Sequence, residues 1–161
     1  MEHHPFQFPF PIAPDADALT PEDEQLLHLA RLHTQDAYAP YSGFWVAAVA
    51  RLGNGAIVHG TNQENASFPV GLCAERTLLS TVSSLHPGVP VHTIAISYFN
   101  TKGQSHEPVT PCGICRQTLV EYEARMQHPI RLIMSGQQGR VLIIETAQHL
   151  LPFGFKADDL K

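Results

Sequence analysis

The 161-residue sequence has only three cysteines, one tryptophan and no run of lysine or arginine. Each scarcity excludes something. Three thiols are an odd number, too few for a disulfide framework, and they fit a reduced, cytoplasmic setting better than an exported one. No basic stretch followed by an apolar one opens the chain, so no secretory signal is expected. The longest apolar stretch, about Phe44 to Ala50, is far too short to span a bilayer, so no membrane partner is expected. Ten Lys and Arg against fifteen Asp and Glu leave a formal charge of −5. That balance, without a basic patch or aromatic–basic interleaving, argues against nucleic acid as a partner. What remains is an ordinary globular composition, 43% hydrophobic and 16% charged, in a chain long enough to bury a real core.

Residues 1–19 are rich in proline and phenylalanine and carry no helical or strand period, so they are expected to form a flexible leader ahead of one folded domain, 20–161. Thr20-Pro21-Glu22-Asp23 reads as a helix start: a hydroxyl cap, proline in the first turn, then acids at the positive end of the dipole. "FWVAAVARL", a "GNG" turn and "AIVHGTN" read as a hairpin. Helices are expected from Cys73 to Leu85 and from about Gly113 to Met126, with strands at "VHTIAISYF", "IRLIMS" and "VLIIET". The order α-β-β-α-β-α-β-β predicts an α/β fold, a three-layer α-β-α sandwich around a five-stranded mixed sheet.

The chemistry is concentrated in "GLCAERTLL" (71–79) and "PCGICRQTL" (111–119). Cys73, Cys112 and Cys115 all fall where a loop enters a helix. Two helix N-termini that meet would place three thiols in one positive field, which favours the thiolates a metal needs. Three thiolates suit zinc. Glu75 lies two residues past Cys73, close enough to exchange protons with water at such a metal and awkwardly placed to ligate it. That arrangement points to general acid–base work and to an open fourth position. No histidine lies within a few residues of any cysteine to close the site, which weighs against a purely structural zinc module. Arg76 and Arg116 each directly follow a motif element and could donate to thiolate sulfur, withdrawing charge from the metal.

With these motifs in place, the chain resembles the cytidine deaminases of the small, homotetrameric kind. Four stretches carry the resemblance: "AYAPYSGFWV" (37–46), "GTNQENASFPVGLCAERTLL" (60–79), "PCGICRQTL" (111–119) and "LLPFGFKADDL" (150–160). The metal motif alone fits the wider deaminase superfamily; "N-x-E-N-A" with "Y-x-P-Y-S-x-F" narrows it to nucleoside substrates. The resemblance implies one zinc per subunit on Cys73, Cys112 and Cys115, with Glu75 as proton shuttle. It makes Asn62 and Glu64 a clamp on the sugar, the Ala74 backbone a partner of the pyrimidine carbonyl, and Phe44 a surface for the base. Phe155 would reach the base from a neighbouring subunit of a homotetramer. The implied reaction is hydrolytic deamination of cytidine and 2′-deoxycytidine to uridine products with release of ammonia, a step of pyrimidine salvage. Departures from the family pattern fall at Ala47, at Phe68 and in "PFGF", none of them in the metal motif. The sugar clamp argues against the nearest rival, a deaminase of another aminopyrimidine.

Overall fold

The computed structural model describes all residues, 1–161. Its elements run β1 (Ile12–Ala13), α1 (Pro21–His33), β2 (Phe44–Leu52), β3 (Ile57–Thr61), α2 (Ala74–Leu85), β4 (Val91–Asn100), α3 (Gly113–Met126), β5 (Arg131–Met134) and β6 (Val141–Ile144), with short 3₁₀ turns between and after them. The eight elements expected from hydrophobic period appear in the expected order. The sheet, however, has six strands rather than five, in the order β1-β6-β5-β4-β2-β3. The additional strand comes from the segment read as a leader: Ile12 and Ala13 pair antiparallel with Leu142 and Val141. Two residues carry no readable alternation, so this strand is made by the tertiary edge it joins rather than by its own pattern. Upstream of it, the Phe8 ring stacks on His149, centroids 4.5 Å apart.

β4 and β5 are parallel and every other pair is antiparallel. Because β2 runs antiparallel to both β3 and β4, the crossover through α2 joins strands of the same sense, as does the crossover through α3. Side chains alternate across β2 and β4, and the two faces make two cores. On one face Ala48, Ala50, Ile94 and Ile96 pack with Leu78, Leu79 and Val82 of α2 and Leu119 and Tyr122 of α3. On the other Val49, Ala95 and Ile133 pack with Leu26, Leu27 and Ala30 of α1. This is a three-layer arrangement with α1 alone on its side.

α1 starts as its sequence predicts: Thr20 accepts from the Asp23 amide and Pro21 occupies the first turn. The Asp23 carboxylate, nearly buried, is held by Arg51 of β2 at 3.4 Å and Arg131 of β5 at 2.6 Å, tying the helix to its sheet. α2 lies very close to the edge strand, and Gly60 permits it. A Cβ there would collide with the Leu78 amide nitrogen and stand 2.8 Å from the Ala74 carbonyl. The absence of a side chain in the middle of β3 thus decides where the first turn of α2 is delivered.

Candidate active site

Cys73 is the N-cap of α2 and Cys112 the N-cap of α3. N-caps are ordinarily Ser, Thr, Asp or Asn, whose oxygens satisfy the free amides of the first turn. Here neither cysteine makes a side-chain capping bond, so both helix ends present unsatisfied N–H groups beside sulfur. Cys115 follows in the first turn of α3 and is buried. The sulfurs of Cys73 and Cys112 stand 3.6 Å apart, and those of Cys112 and Cys115 3.5 Å apart. All three are free thiols. Three sulfurs at about 2.3 Å from one tetrahedral zinc would be separated by about 3.8 Å, so the cluster is nearly at ligand spacing already. The donor set and its geometry fit zinc.

The thiols also favour partial ionisation. Hydrogen bonding from the Cys115 thiol, working against burial and helped by Cys112 and the Arg76 charge, brings Cys73 down to about 6. The same sharing with Cys73, together with burial, pushes Cys115 up. The thiolate form is thus favoured at Cys73, the beginning of the charge a cation needs.

Glu75, two residues beyond Cys73 in the first turn of α2, is buried. Burial raises its pKa, with its own backbone amide and the Cys115 thiol partly offsetting the shift. A carboxyl whose neutral form is favoured in this way exchanges protons readily nearer neutral pH.

Cys73, Cys112, Glu75 and Ala74 share the wall of one cavity of about 460 Å³ with Phe44, Asn62 and Glu64. That volume lies within the range of small-molecule sites. Seven of the residues singled out from sequence are thus brought together. Ala74 occupies the first position of α2, where helix geometry leaves the amide without an intrahelical acceptor. The Phe44 ring stacks on Tyr98, centroids 4.7 Å apart and planes 16° from parallel, which fixes the aromatic wall. The Asn62 amide braces that wall: its Nδ2 donates to the Phe44 carbonyl at 2.9 Å and its Oδ1 accepts from the Val46 amide at 2.7 Å. Glu64 accepts from the Tyr41 and Ser42 amides at 2.8 and 3.3 Å. Its burial would raise the carboxyl pKa, but bonds from Ser42 and Tyr41 and the nearby Lys102 charge hold it below the usual value.

One expectation is altered, that of the two arginines. Neither arginine donates to sulfur. Arg116 follows Cys115 by one residue, a rotation of about 100° around the helix, and its guanidinium is taken up by oxygen: Pro111 O at 2.8 Å, Thr110 Oγ1 at 3.0 Å and Leu150 O at 3.2 Å. It positions the loop that carries Cys112. Arg76 acts on Cys73 only through its charge. Phe155, in turn, does not line the cavity of its own chain; its carbonyl accepts from Gln117 on α3 at 2.8 Å while its ring is largely exposed. Sequence alone did not single out Ser42, Tyr98 or Thr110. Ser42 sits within a quoted motif and Thr110 immediately precedes one, whereas only tertiary packing reveals Tyr98.

Comparison with known proteins agrees with this geometry. Residues 20–127 match the family model described as the cytidine and deoxycytidylate deaminase zinc-binding region. The chain belongs to the cytidine deaminase family. A cytidine deaminase from Halalkalibacterium halodurans is 34% identical over 86% of this chain and 98% of its own length. Another from Mycobacterium tuberculosis is 35% identical over 77% and 82%. The crystal structure of cytidine deaminase from Burkholderia pseudomallei, 33% identical, superposes with a TM-score of 0.72 over 85% of this chain and all of that one. Membership makes this chain an enzyme that deaminates cytidine. No helix is long and apolar enough to cross a membrane.

Proposed function

We propose that the enzyme is a zinc-dependent nucleoside deaminase of the cytoplasm, converting cytidine and 2′-deoxycytidine to the uridine nucleosides with release of ammonia, in pyrimidine salvage. The single observation that carries this reading is one cavity whose wall joins two thiols of a three-cysteine cluster, a buried carboxyl and a polar sugar-sized rim. Zinc on Cys73, Cys112 and Cys115 would supply the Lewis acidity that makes water a nucleophile at neutral pH.

The chain's own groups do the rest. Glu75 takes a proton from the attacking water and passes it to ring N3, then takes the remaining hydroxyl proton of the C4 adduct and delivers it to the amino group, which leaves as ammonia as the C4 carbonyl forms. The free Ala74 amide holds the pyrimidine carbonyl, and Phe44, backed by Tyr98, covers the face of the base. Asn62 retains one amide hydrogen beyond those bracing the wall, and Glu64 retains acceptor capacity, so both can grip a sugar hydroxyl. Burial of Glu75 keeps bulk water from competing for its proton.

The C-terminal segment supports assembly into a homotetramer. Phe153 is 99% exposed and Phe155 56% exposed, in a stretch that packs its backbone on α3 and leaves its rings outward. Exposed aromatics of this kind serve as interface anchors, and Phe155 would complete a neighbour's cavity.

Ammonia release from a panel of cytidine, 2′-deoxycytidine and cytidine monophosphate tests the substrate assignment. Both nucleosides should be turned over and the monophosphate poorly, because the sugar rim carries the Glu64 carboxylate and no phosphate cradle. Equal or better activity on the monophosphate would contradict it.

A further inference from the structure

Three side chains with metal-ligating atoms also converge on the opposite face of the sheet edge, away from the cavity. His33 closes α1, Asp36 lies in the 3₁₀ turn that follows, and His59 stands in the middle of β3. One ligand atom from each lies within 4.8 Å of the other two. The imidazoles of His33 and His59 stack with centroids 3.8 Å apart and planes 8° from parallel. His33 Nδ1 is 2.7 Å from an Asp36 carboxylate oxygen.

The fold fixes this meeting. Along β3, Val58 and Gly60 are buried, and Gly60 faces α2. Strand alternation therefore turns His59 to the other face, where α1 ends. The turn carrying Asp36 is held by Thr34 Oγ1 donating to Arg31 O at 2.8 Å, by Ala37 N donating to Thr34 O at 3.2 Å, and by Thr61 Oγ1 donating to Asp36 O at 3.3 Å. The last of these ties the turn directly to β3, two residues from His59. The backbones of all three positions are thus set by ordered structure, while His59 and Asp36 remain exposed to solvent.

We propose that His33, Asp36 and His59 form a second metal site, separate from the thiol cluster, for a divalent transition ion. Two imidazole nitrogens and one carboxylate oxygen suit zinc, nickel, cobalt or copper, and are a poor set for magnesium or calcium, which take oxygen ligands. Nitrogen and oxygen ligands on a tetrahedral zinc stand about 3.4 Å apart, so exposed side chains need to close by little more than an ångström. The site lies at the C-terminal end of α1, where the helix dipole favours a cation. Water would fill the remaining coordination positions. An ion there would bridge the helix end to the sheet edge, and so stabilise the native state in proportion to its concentration.

The test is a calorimetric titration of Zn²⁺ into protein that already holds one zinc per chain. Wild type should take up one further equivalent, with a rise in melting temperature. His59→Ala and Asp36→Asn should each abolish that equivalent and the rise while retaining the first zinc. A His3→Ala/His4→Ala double variant should keep it, which separates the site from the histidine pair near the start of the chain. No second equivalent in wild type would overturn the proposal and leave His33–Asp36 a plain hydrogen-bonded pair. A second equivalent retained in His59→Ala, or lost in the His3/His4 variant, would overturn it equally.

Discussion

Cys73 and Cys112, each the N-cap of its helix and 39 residues apart in sequence, hold their sulfurs 3.6 Å apart. Two helices on the same face of the sheet, one before and one after β4 in the chain, are joined at their starting points by this contact. Replacing Cys112 with Ala should therefore do more than remove a donor. Loss of a direct ligand should cost more than the roughly 10- to 100-fold in metal affinity that follows loss of an outer partner, and the melting temperature should fall because the helix ends lose their common anchor. Metal analysis and thermal unfolding check both. A zinc-replete Cys112→Ala protein of wild-type stability would remove Cys112 from the ligand set.

Gly60 gives a second prediction, on the link between packing and catalysis. A methyl group at this position meets the Leu78 amide and the Ala74 carbonyl, both in the backbone of α2 and unable to rotate aside. Gly60→Ala should destabilise the protein by about 1–3 kcal/mol, the usual cost of overpacking. It should also lower kcat, since the displaced element carries Cys73 and Glu75. Chemical denaturation and steady-state kinetics measure the two effects. An unchanged melting curve and unchanged kcat would mean that α2 has room the structure denies it.

The exposed C-terminal rings predict concentration dependence. If Phe155 completes a neighbour's cavity, dilution below the assembly constant should lower specific activity while each chain keeps its zinc, and Phe155→Ala should weaken substrate binding even at high concentration. Sedimentation and activity across one dilution series report both. A zinc-bound monomer with full activity would sink the shared-site reading.

Much of this was legible in the sequence, for physical reasons that differ by feature. Period gave away the long elements, because β2 and β4 are buried on both faces and α2 presents Leu78, Leu79 and Val82 on one stripe. The thiol cluster was legible because helix starts and cysteine spacing coincide at Cys73, Cys112 and Cys115. β1 was not, since Ile12 and Ala13 are a strand only through their pairing with β6. The role of Arg116 was not legible, because its direction depends on one residue of helical rotation and on three oxygens, two in the loop that enters α3 and one from distant Leu150. Tyr98 behind Phe44, and His59 beside His33, are contacts between elements and leave no mark on local pattern.

The central claim is that Glu75 moves protons at a zinc held by three cysteines, and one measurement addresses it directly. Ammonia release from cytidine is followed for Glu75→Gln and wild type, each with its thiol-bound zinc quantified. The amide is nearly isosteric with the carboxyl and leaves Cys73, Cys112 and Cys115 untouched. The variant should retain one zinc per chain at this site and an unchanged fold, while turnover falls by roughly 10²–10⁴-fold or more, the range of general acid–base catalysis. A zinc-replete Glu75→Gln enzyme that deaminates cytidine at near wild-type rate would contradict the account.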